Sequence, residues 1–199
     1  MSNTPDTPKS RLKGCDRMDI EIIGLDELRG KMESLGESAA ASLERSMGEA
    51  IMITQAQAKL LCPVDEGDLR NSIHSKAESD GETVTGTVYT NSDHAAYVEF
   101  GTGPRGAADH AGVSPDVEIS YKSGAWWIPE GPNGIDAKTA KKYHFPAYMI
   151  DGKTYYRCEG QAAQPFMYPA IQQTKRIVAK KLQELVSAEI AKAVDHGKS

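Results

Sequence analysis

Gly101, Gly103 and Gly106 stand in the spacing G-x-G-x-x-G within the stretch "YVEFGTGPRG". Such glycines bind a pyrophosphate when they turn a strand into a helix, because the helix N-terminus then faces the anion. The run "AAYVEF" before them alternates as a strand would, with Ala96, Val98 and Phe100 on one face and Tyr97 and Glu99 on the other. After them, "GAADHAGVS" between Pro104 and Pro115 has no apolar stripe, so no helix is predicted to follow. The glycines are therefore read as structural, letting the chain leave a strand sharply and approach another backbone.

Five histidines (His74, His94, His110, His144 and His196) raise metal or hydrolytic chemistry, and Asp93, His94 and Glu99 form the densest cluster. No H-x-x-x-H or H-E-x-x-H spacing occurs, and no Ser or Cys sits in a nucleophile elbow. A nuclease centre would require several carboxylates converging on a metal. No catalytic residue, metal ligand or cofactor is assigned. Trp126 and Trp127 could stack on bases or a sugar, but the acidic balance and the absence of neighbouring basic residues favour packing. They are kept as candidate partner-contact aromatics. Cys15, Cys62 and Cys158 are odd in number and far apart, which suggests neither a disulfide framework nor a zinc knuckle and fits a reducing cytoplasm.

The 199 residues, 39% of them apolar, are enough for one well-buried core. A net charge of -5 argues against a surface that neutralises nucleic-acid phosphates. No apolar run approaches the roughly 20 residues of a membrane span, and the N-terminus lacks the apolar centre of a secretory signal.

The elements that must position these residues follow from periodicity. Residues 1–17 are too polar to order alone, and "MDIEII" alternates as a short strand. Leu25 to Leu61 repeat apolar positions every three or four residues, giving one long helix with a possible break at Gly36. Pro63 ends it and "VDEGD" turns the chain. "LRNSIHSKA" and "TVTGTVYT" flank "ESDGE", in which Asp80 and Gly81 are predicted to centre a type I′ hairpin turn. Residues 103–160 read as a long loop with a hairpin made of "AWWIPEG" and "KTYYRCEG". A last helix carries Ile171, Val178, Leu182, Leu185, Val186, Ile190 and Ala193 on its apolar side. Residues 19–61 hold eight acidic and four basic side chains, and 171–199 hold six basic and three acidic, so the two helices are predicted to pair within or between subunits.

Three segments in order, "CPVDEGDLRNSI" (62–73), "AAYVEFGTG" (95–103) and "GQAAQPFMYPAI" (160–171), lie between the long first helix and the last one. The chain so resembles, over residues 18–194, the siphophage tail-component family of tail-completion and head-to-tail joining (neck) proteins. It differs in having Glu66 where a threonine usually precedes the first motif's glycine. The resemblance implies an α+β fold, a small antiparallel sheet packed with a long N-terminal helix and a C-terminal helix. One domain would span 18–194, with 103–160 as an insertion, between arms at 1–17 and 195–199. It implies a virion protein of the neck, assembled in the host cytoplasm as a ring, six subunits being suggested. Its partners would be head-completion or connector, tail-terminator or tail-tube proteins, with DNA only as passing cargo and no membrane. A terminator ring that stops tube growth is the alternative within the class. Pro63, Gly67 and Leu69 would shape the first turn, Tyr97, Glu99 and Gly101 the strand end, and Pro165, Phe166 and Pro169 the docking of the last helix.

Overall fold

The computed structural model describes residues 37–80 and 83–196. The arm at 1–17, the strand at 18–23, the helix start at 25–36 and the hairpin residue Gly81 lie outside them. The described chain divides into two compact units, one made of 37–80, 83–95 and 165–196, the other of 96–164.

In the first unit, helix α1 (Glu37–Leu61) runs to two residues before Pro63. Proline disfavours the helical region for Cys62, whose amide makes the last turn's bond to the Ala58 carbonyl at 2.9 Å. A one-turn helix α2 (Asp68–Asn71) follows, where a strand was expected to start; Gly67 at φ 95° supplies the left-handed residue before it. Strands β1 (Ile73–Ser79) and β2 (Val84–Thr90) then pair antiparallel, Ile73 opposite Thr90 and Ser79 opposite Val84. Asp80 and Thr83 close the hairpin, the Asp80 amide donating to the Thr83 carbonyl. Asp80 thus flanks the turn and is not one of its central residues as expected, because the register sets Ser79 opposite Val84 where an Asp80-Gly81 centre would set Ala77 there.

The hairpin lies on α1. Gln55 of α1 donates to the Ile73 carbonyl and accepts from Ser75 Oγ at 2.9 and 2.8 Å, fixing β1 to the helix. The long last helix, named α6 below (Met167–His196), packs against α1, and Met47, Ala50, Val84, Val178, Leu182 and Val186 close the core. Each fully buried aliphatic side chain there contributes about 1.5–3 kcal/mol. Ser42 bonds Glu189 and Gln57 bonds Gln173, so numbers rise on one helix as they fall on the other: the helices are antiparallel. The pairing expected from their charges occurs within the chain, through these hydrogen bonds.

The second unit corrects two expectations. "AAYVEF" is helix α3 (Ala95–Phe100), not a strand. Ala95, Glu99 and Phe100 are buried while Tyr97 is exposed, an i, i+4 pattern that these residues satisfy as well as the alternating one. A helix closes its own backbone bonds, whereas a strand needs a neighbour to pair with. A helix also begins at the second of the three glycines and holds the third: α4 (Gly103–Ala108), with Pro104 in its first turn, where a missing N–H costs nothing. Its six residues are too few to show an apolar stripe.

The supposed long loop holds a three-stranded antiparallel sheet in the order β3-β5-β4, made of β3 (Trp126–Pro129), β4 (Ala147–Ile150) and β5 (Lys153–Cys158). Helix α5 (Ala137–Lys142) joins β3 to β4, capped by Asp136, whose carboxylate accepts from the Lys138 and Thr139 amides. The small α+β class holds, with two sheets in place of one.

Candidate functional site

The glycine motif is explained by what it lies against. The Thr102 amide donates to the Gln161 carbonyl at 2.9 Å, and the Gln161 amide returns the bond to Thr102 at 3.1 Å. Arg105 donates to the Glu159 carbonyl, Ala163 to Asp109 and Gln164 to Val98, while Gln161 Nε2 reaches the Tyr97 carbonyl at 2.7 Å. The start of the second unit is thus zipped to its end, and the segments 95–103 and 160–171 meet along this seam.

Such proximity leaves no room for side chains. A Cβ on Gly101 would stand 2.7 Å from the Ala163 nitrogen, and one on Gly103 would stand 2.7 Å from the Glu159 oxygen. Gly101 and Gly103 also hold φ of 73° and 59°, the left-handed region. Gly160, opposite them, has φ 82° and would place a Cβ 1.9 Å from the Thr102 oxygen. The glycines leave a helix, not a strand, and their close approach is to backbone.

Pro63 is half-buried just beyond α1, Gly67 precedes α2 and Leu69 is half-buried within it. In the same turn Arg70 Nη2 donates to the Cys62 carbonyl at 3.3 Å, and Ser72 Oγ donates to the Leu69 carbonyl and accepts from Thr90 Oγ1. Tyr97 is exposed and Glu99 is 2% exposed, so these two do not share a surface. Pro165 is half-buried, Phe166 is fully buried and Pro169 lies in the first turn of α6.

The rival cluster does not assemble. Asp93 and His94 are exposed whereas Glu99 is buried. Among the described residues no group of three or more His, Cys, Asp or Glu is placed to hold a metal ion. No described helix is long and apolar enough to cross a membrane.

Trp126 and Trp127 diverge, as neighbours on a strand must. Trp126 is half-buried with Lys122 Nζ 5.0 Å from its ring, and Trp127 is 47% exposed, edge-on to Tyr148 at 5.1 Å. The absence of basic neighbours inferred from sequence is corrected: Lys122 reaches Trp126, and the register places Arg157 opposite Trp127. Arg157 is itself paired with Glu159 at 2.7 Å. Sequence reasoning missed β4, whose four residues are all exposed; the apolar "AYMI" between Pro146 and Asp151-Gly152 was the available signal.

With the helix, hairpin and seam in place, a comparison with known families bears on the first part of the chain. Residues 26–101 match the model of a family described as "Bacteriophage HK97-gp10, putative tail-component". This stretch is similar to a phage tail-component family. No curated protein and no solved structure matches the chain. The matched stretch takes in α1, α2, the β1-β2 hairpin and α3, and ends on Gly101, the first glycine of the seam. Two of the three ordered segments therefore lie in it to that point, and the third, 160–171, lies beyond it.

Proposed function

We propose that this chain is a virion structural protein that forms a ring at the head-tail interface, completing the tail and joining it to the head. The observation that carries the reading is the match of 26–101 to a phage tail-component family, set on a helix-hairpin-helix unit. The three ordered segments that resemble tail-completion and neck proteins give the finer role. A ring subunit needs two different contact surfaces, and a chain with one unit built on two long helices and a hairpin and another built on a three-stranded sheet supplies surfaces of different chemistry. A net charge of -5 suits a collar that DNA passes without being gripped. Pro63, Gly67, Leu69, Tyr97, Glu99, Gly101, Pro165, Phe166 and Pro169 have scaffold or contact roles on this reading, none of them catalytic. Neighbouring head-completion, terminator or tube proteins would be its partners, and six copies its ring.

Electron microscopy of the purified protein is the direct test. Annular particles support the reading, and a protein that stays monomeric, with virions lacking it still attaching tails, refutes it. A terminator ring is the second reading within the class; labelled protein found at the growing end of free tubes, not at the neck, would favour it.

A further inference from the structure

We infer that neighbouring copies join through the outer face of the β3-β5-β4 sheet on one copy and the turn after α1 on the next. This rests on the ring reading above. Pairing of Trp127 with Arg157, Tyr148 with Tyr155 and Ile150 with Lys153 puts all six on one sheet face, because directly opposed residues share a side. Trp127, Tyr148 and Ile150 are 47%, 46% and 43% exposed. The β3 edge is covered in part by the turn of 131–135, where the Ile135 amide donates to the Pro129 carbonyl and the Ile135 carbonyl accepts from the Gly131 amide. The β4 edge has no such cover among the described residues, and an open apolar edge is a surface that folded proteins ordinarily shield.

The charge beside that face is mostly basic. Helix α5 with its cap and the β4-β5 turn carry Lys138, Lys141, Lys142 and Lys153 against Asp136 and Asp151. The turn after α1 leans the other way: Leu60 and Val64 are 72% and 51% exposed, and Asp65, Glu66 and Asp68 outnumber the flanking Lys59 and Arg70. Each patch joins exposed apolar side chains to an excess of one charge, and the two excesses are opposite in sign. Aromatic anchors with flanking charge make a protein contact, and Ile150 on that face offers nothing to a phosphate backbone. A second copy of this chain carries the matching patch. Because the patches differ, the contact is head-to-tail, the kind that closes into a ring when the rotation permits.

Two charge-reversed proteins test it, Lys141→Glu/Lys142→Glu/Lys153→Glu and Glu66→Lys/Asp68→Lys, by sedimentation and electron microscopy at low and moderate salt. Each alone should need an about tenfold or greater concentration to associate. Mixed one to one they should co-assemble near the wild-type concentration, since each then offers the other an opposite partner on both sides. Recovery on mixing also shows that both variants are folded. Wild-type rings that survive both reversals overturn the interface while leaving the ring reading intact. A mixture that fails to recover, with circular dichroism unchanged in each variant, also overturns it. Wild-type protein that never associates removes both the ring and the interface. Reversals that abolish salt-sensitive DNA retention but not association would assign the lysines to phosphates and sink the inference.

Discussion

Thr54 Oγ1 lies 2.8 Å from Thr174 Oγ1, a buried hydrogen bond joining α1 to α6. Thr174 also donates to the Ala170 carbonyl at 2.7 Å, so its single proton is committed there and it accepts from Thr54. The bond therefore has a direction, and two polar residues can sit within the apolar seam of the helix pair without an unmet donor.

That direction makes the two threonines unequal. Thr174→Val leaves the Thr54 hydroxyl buried without its acceptor and should cost about 1–3 kcal/mol, whereas Thr54→Val removes one bond and should cost about 1 kcal/mol. The double variant should cost less than the sum. Urea unfolding at one fixed protein concentration measures all three. Strict additivity would mean that the hydroxyls do not interact.

The glycine seam gives a contrast inside one unit. Gly101→Ala and Gly160→Ala force Cβ atoms onto backbone at positive φ and should destabilise by about 2 kcal/mol or more each. Gly124, with nothing within 4 Å of an added Cβ, should accept alanine within about 0.5 kcal/mol. Limited proteolysis between 103 and 160 reports the difference. Equal resistance in all three variants would dismiss the seam as the unit's closure.

Periodicity revealed the helix ending before Pro63, the last helix and the β1-β2 hairpin, because each has enough residues for a repeat to accumulate. It failed at 95–100, where six residues satisfy both periods and only the environment decides. The short α4, α5 and β4 were lost for the same reason, being four to six residues long. The role of Gly160 was hidden differently: its partner Thr102 is far away in the chain, and local sequence holds no record of a backbone that approaches from there. Lys122 over Trp126 and Arg157 opposite Trp127 are likewise products of the register.

Asp136 should give α5 an acid-sensitive start. Its carboxylate accepts from Thr139 Oγ1 and from the Thr139 and Lys138 amides, and the Thr139 bonds are the main cause holding its pKa below the usual aspartate range. A lowered folded value means that the stabilisation is present in full above the unfolded pKa, about 3.9, and is lost as pH falls through the folded one. The Lys138 and Thr139 amide resonances should therefore shift together only below about pH 4. Asp136→Asn should keep the cap and abolish the shift, and Asp136→Ala should fray the helix at every pH. Unchanged amides in the alanine variant would show that the cap does not hold α5.

Cys158 should be a slow thiol. It is 6% exposed on the inner side of β5, and burial pushes its pKa up, outweighing the nearby Arg105 and Lys122 charges that pull it down. Because the thiolate is the reactive form, both access and ionisation delay modification at neutral pH. Cys62 is 2% exposed and donates its S–H to the Pro63 carbonyl at 3.4 Å. In a Cys15→Ser background, a thiol reagent should modify these two at least about a hundredfold more slowly than in urea, at rates set by local opening. The Cys158 rate should go on rising with pH past the range in which a free cysteine levels off. Rapid reaction of either thiol in the folded protein would place it at the surface and contradict the packing of β5 or of the turn after α1.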